Sequence, residues 1–181
     1  MVLIRKHTWI ILALLLVWPL AFSRPQAQEP CKPVKKVSRV IQDLFGEDHE
    51  ILPLQISADR ASLPESYHRG DCVFSIRQGE QVRGYLISTR AKGRYENFDY
   101  SVIFSEQFTV MKVLVTVYRS THGAAISQKQ WLSQFEGYQG GKLELGSDID
   151  AVSGGTLSAI SMLEDIQRCH LLISTLEAGN K

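Results

Sequence analysis

The chain has 181 residues, 44% of them hydrophobic and 22% charged, which excludes a disordered polypeptide and fits one folded domain with or without a removable segment. Lys and Arg number 20 against 19 Asp and Glu, a formal charge of +1; this lacks the basic excess that offsets phosphates and argues against a dedicated nucleic-acid binder. Three cysteines are too few for a disulfide-dense mini-protein.

Along the chain, Arg5, Lys6 and His7 form a basic start to an apolar run over residues 9–22, interrupted only by Pro19. That run is short against the roughly 20 residues of a membrane span and suits the core of a signal peptide. Ala21 and Ser23 place small residues at the −3 and −1 positions, so residues 1–23 are expected to be removed after Ser23. The expected location is the periplasm or the outer face of the cell membrane. Left uncleaved, the same segment would associate the protein with the membrane. Arg5 and Lys6 are the only charged Lys, Arg, Asp or Glu residues of that segment, so the remainder carries 18 basic against 19 acidic residues and a charge of −1.

Residues 24–33 are polar and proline-containing and read as a flexible mature N-terminus. Residues 34–178 are expected to form a single domain. Export would permit one disulfide among Cys31, Cys72 and Cys169 with one thiol left over; three free thiols is the alternative, and the sequence does not choose a pair. No CxxC is present, so a thioredoxin-type redox pair has no support.

In residues 34–45 the spacing of Val37, Val40, Ile41, Leu44 and Phe45 predicts a helix, stopped by Gly46. Residues 72–76 and 82–88, separated by Gln78-Gly79-Glu80-Gln81, read as a β-hairpin. A second strand pair is expected at 100–104 and 108–118, with Val113, Val115 and Val117 on one face. Residues 127–135 are a short helix candidate with Trp131, Leu132 and Phe135 on one side, and the glycines of 137–146 mark a loop. A last helix runs from about 155 or 156 to 176, with Leu157, Ile160, Leu163, Ile166 and Ile173 toward the core. The fold class is α+β, an antiparallel sheet flanked by helices.

The histidines are scattered and unpaired with acids at metal-ligand spacing, so no metal site is expected. No residue pattern marks a catalytic centre: residues 137–142 lack Walker spacing and there is no G-x-S-x-G. Glu164 and Asp165, adjacent on the last helix, read as part of a solvated face. One segment stands out, Asp150-Ala-Val-Ser153-Gly154-Gly155-Thr156-Leu157-Ser158, directly before that helix. Its glycines permit a tight turn, and the amides of a helix start lack intrahelical acceptors and attract a phosphate. Taken alone, such a segment is more often a turn and an N-cap.

The spacing Asp150-x-x-Ser153-Gly154-x-Thr156-x-Ser158 resembles the flavinylation motif of FMN-binding domains, Asp-x-x-(Ser/Thr)-Gly-Ala-Thr-x-(Ser/Thr). These include the flavin-carrying subunits of the sodium-pumping NADH:quinone reductase and the Rnf complex, and small exported flavoproteins. Residues 118–126 with 129–135 look like the family's strand-end loop and Trp/Phe-containing helix, and residues 93–104 look like its first strand. The resemblance is strongest over residues 84–168. It implies an FMN-binding-domain-like fold, with FMN joined to Thr156 by a phosphoester. It also implies cofactor-binding roles for Asp150, Ser153, Gly154, Gly155, Leu157 and Ser158, and for Gly123, Ala124 and Ala125 in the loop.

The implied function is an electron-transfer flavoprotein of the cell envelope rather than a stand-alone enzyme. Its partners would be a magnesium-dependent flavin transferase, which uses FAD and releases AMP, and an envelope redox protein. The alternative is a ligand-binding or interaction module of the envelope that has lost the flavin. The chain departs from the pattern twice. Gly155 replaces the usual alanine, so Gly155→Ala is expected to leave labelling unchanged or improve it. The loop also lacks the acidic residue and second glycine common in the family.

Overall fold

The computed structural model describes residues 31–54, 64–68, 70–120 and 122–178. The expected signal segment and residues 24–30 lie outside the described residues. Five strands, β1 (Glu50–Pro53), β2 (Cys72–Gln78), β3 (Gln81–Lys92), β4 (Asn97–Ser105) and β5 (Val110–Val117), form one sheet in the order β1-β2-β3-β4-β5. Every neighbouring pair is antiparallel. Helix α1 (Lys35–Phe45) precedes the sheet. After it come a one-turn helix, α2 (Lys129–Leu132), flanked by 3₁₀ turns, and the long α3 (Thr156–Ala178). The expected α+β class is observed. No described helix is long and apolar enough to cross a membrane.

Alternation along the strands supplies two cores. On one face Tyr85, Ile87, Phe98, Tyr100, Val102 and Phe104 pack with α2 and α3. On the other, Phe74, Ile76, Leu86, Ile103 and Leu114 meet Val37 and Ile41 of α1. Both α1 residues are fully buried, each contributing about 1.5–3 kcal/mol against exposure. Helix α1 ends as its sequence suggests. Gly46 adopts φ +84°, its N–H donates to the Gln42 carbonyl at 2.9 Å, and Gln78 Nε2 donates to the Phe45 carbonyl at 2.6 Å.

Several boundaries differ from expectation. Strand β5 begins at Val110 rather than 108 because Phe108 turns through φ +62°, while Ser105 Oγ accepts from the amides of Gln107 and Thr109. Register shifts between β4 and β5 leave Val113 and Val115 buried but Val117 41% exposed. Strand β1 is unforeseen: it has four residues, lies at the sheet edge and ends in proline.

Helix α3 is rotated relative to the expected face. Leu157 is 61% and Ile160 38% exposed; the buried stripe is Ala159, Met162, Leu163, Ile166, Cys169, Leu172 and Ile173. Ala159 and Cys169 are weak apolar signals, but as small residues they let the helix approach the sheet closely.

Asp165 is likewise buried rather than solvated, whereas Glu164 is exposed. Arg168 binds Asp165 through Nε at 2.5 Å and Asp71 through both terminal nitrogens at 2.7 and 3.2 Å. It also donates to the Ser66 carbonyl at 2.7 Å. Tyr100 donates to Asp165 and Thr89 to Asp71. This network fixes α3 to β3, β4 and the residue just before β2. Burial opposes the Arg168 charge, but the bonds to Asp165 and Asp71 outweigh it and raise the guanidinium pKa. Burial pushes the neighbouring Cys169 thiol up to about 12 and the Tyr100 hydroxyl well above its usual range.

Cys31 and Cys72 are joined in a disulfide with Cα atoms 5.7 Å apart, and Cys169 is a buried free thiol. The pairing left open by the sequence is thereby settled.

Candidate functional site

The turn before α3 is held from beneath. Trp131 Nε1 donates to the Asp150 carbonyl at 2.8 Å, and the Asp150 N–H donates to Gln134 Oε1 at 2.9 Å. Ile149 and Val152 are buried and anchor the segment to the core. Trp131 and Phe135 are buried, with ring centroids 5.3 Å apart, so both serve the core. Gly154 then turns through φ +71°, and the Gly155 N–H donates to the Val152 carbonyl at 3.0 Å. The Gly155 carbonyl accepts from Ala159 N–H at 2.9 Å, opening the helix. Thr156, the first helical residue, is exposed together with Ser153, Gly154 and Leu157.

The loop after β5 is seated directly on this turn. Gly123 has φ +78°, and a Cβ built there would lie 2.8 Å from Tyr118 Oη and 3.0 Å from Gly155 Cα. From the other side, a Cβ on Gly155 would lie 3.1 Å from Val152 Cγ1 and 3.2 Å from Gly123 Cα. Glycine is thus required at Gly123 by its positive φ and close contacts, and at Gly155 it spares a tight contact where the two backbones meet. Tyr118 donates to the His122 carbonyl at 2.7 Å, and its hydroxyl is 3.3 Å from the buried Ser158 Oγ. This arrangement removes the helix-propensity reason for the Gly155→Ala expectation. The glycine is the N-cap, not a helix-interior residue, so alanine brings no propensity gain and crowds the contact with Gly123.

A depression of about 120 Å³ lies over the helix start, lined by Arg94, Gly154, Gly155, Thr156, Leu157 and Ser158. Arg94 belongs to the turn joining β3 and β4, where the Gly93 N–H donates to the Glu96 carbonyl at 3.1 Å. Its guanidinium carbon is 5.3 Å from the Tyr95 ring centroid, and the Tyr95 ring meets His122 edge-on at 6.3 Å. Tyr95 is 68% exposed. The depression thus has a cation on one wall, the amides of a helix start at its base, an exposed hydroxyl, and an exposed aromatic pair beside it. A phosphate ester carrying a planar ring fits this donor set.

The structure brings Ser153–Ser158 together with Gly123. It does not bring in Ala124, which is exposed at the start of a 3₁₀ turn, or Ala125, which packs on the core; neither lines the depression. Asp150 is exposed and held through its backbone outside the depression. Sequence reasoning missed Arg94 and Tyr95, because residues 93–96 read as the start of a strand that begins only at Asn97. Gly93 followed by polar residues was the available turn signal. Among the described residues no group of three His, Cys, Asp or Glu side chains is placed to hold a metal ion.

No protein-family model matches the chain, and no curated protein matches it in sequence. Among solved structures it is similar to the crystal structure of Shewanella oneidensis NqrC, with 17% sequence identity and a TM-score of 0.48. The match covers 70% of this chain and 80% of that one.

Proposed function

We propose that the protein is an exported flavoprotein that carries FMN on Thr156 through a phosphoester and passes electrons within the cell envelope. The observation that carries the reading is the Asp150-x-x-Ser153-Gly154-x-Thr156-x-Ser158 spacing. Its threonine is an exposed first helical residue, next to Arg94 and over free helix-start amides. The Cys31–Cys72 disulfide supports export, since such bridges persist in oxidising compartments.

When bound, the flavin supplies the one- and two-electron chemistry; the chain supplies attachment, orientation and electrostatics. Thr156 offers the linking oxygen. A threonine hydroxyl is a weak nucleophile and no histidine or carboxylate lines the depression, so the base for attachment belongs to the transferase. Arg94 and the helix-start amides hold the phosphate charge, and Tyr95 with His122 offers an aromatic wall for the ring.

The test is co-expression of the full chain with a flavin transferase, read by in-gel flavin fluorescence, intact mass and peptide mapping. The intact mass of the native protein also reports whether residues 1–23 have been removed. Thr156→Ala is expected to abolish covalent flavin and leave the fold in place, while Thr156→Ser retains some label. Undiminished fluorescence in Thr156→Ala, or a labelled peptide lacking residue 156, overturns the assignment. An unlabelled wild-type chain beside an active transferase would instead indicate a ligand-binding or interaction module.

A further inference from the structure

Away from the Thr156 depression, a groove of about 410 Å³ runs between α1, β5 and α2. Its walls are mainly apolar, from Val40 and Leu44 of α1, Val113 and Leu114 of β5, and Leu132 of α2. Leu44 is 38% exposed there, an apolar side chain left without cover. Three lysines and one acid share the lining: Lys36, Lys112 and Lys129 against Asp43.

The three lysines are not equivalent. Lys36 donates to the Val115 carbonyl at 2.9 Å, and Lys112 is paired with Glu136 at 2.7 Å. The Lys129 ammonium has no hydrogen bond or ion pair among the described residues. One turn earlier on the same wall, the Ser127 hydroxyl is buried and has no hydrogen-bond partner. Buried hydroxyls are seldom left so, because desolvation without a partner costs about 1–3 kcal/mol. The groove therefore presents an exposed, unpaired ammonium, with a second donor lacking an acceptor buried in its wall, beside an apolar surface.

We propose that this groove binds a single-chain anionic amphiphile of the fatty-acid class. Its carboxylate accepts from Lys129, and from Ser127 when that hydroxyl rotates toward the groove, and its chain lies along Val40, Leu44 and Val113. An acidic peptide adding to the sheet edge is disfavoured, because the edge is occupied at both ends. The Val110 N–H and carbonyl already bond the Tyr138 carbonyl and Gly137 N–H, and Lys36 holds the Val115 carbonyl. The groove is also of small-ligand size. This inference is independent of the flavin reading.

The test is titration of the full protein with dodecanoate below its micellar concentration, followed by calorimetry and amide chemical shifts. Saturable binding is expected, with shifts confined to residues 40–44, 112–114 and 127–132. Lys129→Glu should weaken it by about tenfold or more, and Ser127→Ala by a smaller factor. Dodecyltrimethylammonium, with the same tail and the opposite head charge, should bind far more weakly. Equal binding of that cation, no saturable binding of dodecanoate, or full affinity in folded Lys129→Glu would each overturn the proposal. So would association with phosphatidylglycerol vesicles in the absence of dodecanoate binding, which would assign the groove to a bilayer surface.

Discussion

Gly123 and Gly155 meet backbone to backbone at the candidate site, and the two are expected to respond differently to an added methyl. Gly123→Ala forces an L side chain into φ +78° with Tyr118 Oη 2.8 Å away, so it should cost about 2 kcal/mol or more. Gly155→Ala has no positive φ to oppose it, but it places alanine at an N-cap against Val152 and the Gly123 backbone, a cost of about 1 kcal/mol. Urea unfolding of the two variants checks the order; a more stable Gly155→Ala would show that the contact relaxes freely. The sequence revealed the glycines of the turn but not their partner. That required Gly123, some thirty residues upstream, to be placed on the same spot.

Among the elements, α3 carries the sharpest contrast between pattern and packing. Its existence and start at Thr156 were legible from the glycine turn and a long apolar periodicity. Its buried face was not, since Leu157 and Ile160 are strongly apolar yet exposed, while Ala159 and Cys169 are small yet fully buried. Asp165 was equally illegible: a carboxylate on an amphipathic helix reads as solvated unless Arg168, Tyr100 and Asp71 are known to converge on one cluster. That burial has an alkaline signature. The folded chain holds the Cys169 proton up to about 12, whereas an unfolded thiol releases it near the ordinary value of 9.0. The raised folded pKa means that this contribution is fully present below 9.0 and is lost as the pH rises from there toward about 12. Tyr100, also raised, acts in the same direction. Urea midpoints across alkaline pH should fall, and Cys169→Ala should flatten the slope; an unchanged slope in that variant would remove Cys169 from the account.

For the molecule as a whole, two hairpins of an antiparallel sheet were readable, four of its five strands, but the turn that joins them into a meander was not, because residues 93–96 read as the start of a strand. The two-sided covering of the sheet was implied by a helix at each end of the domain. The Cys31–Cys72 bridge spans a sequence separation of 41 and ties the chain just before α1 to β2. On the chain-entropy account a loop of that length contributes about 4 kcal/mol, so reduction should lower the urea midpoint accordingly. A midpoint unmoved by a thiol reductant would mean that the bridge adds nothing to stability.

The position of α3 after all five strands has a temporal consequence. Synthesis runs from the N-terminus, and β1 to β5 are complete before α3 exists. Until then the side of the sheet with Phe98, Tyr100, Val102 and Phe104 lacks its long helix and has only the short turns around α2 to cover it. Folding of that side therefore waits on α3, which would suit the export proposed above, since exported chains are threaded through a channel unfolded. The surface around Thr156 is assembled from α3, the loop after β5 and the turn between β3 and β4, so it forms only once α3 has been made.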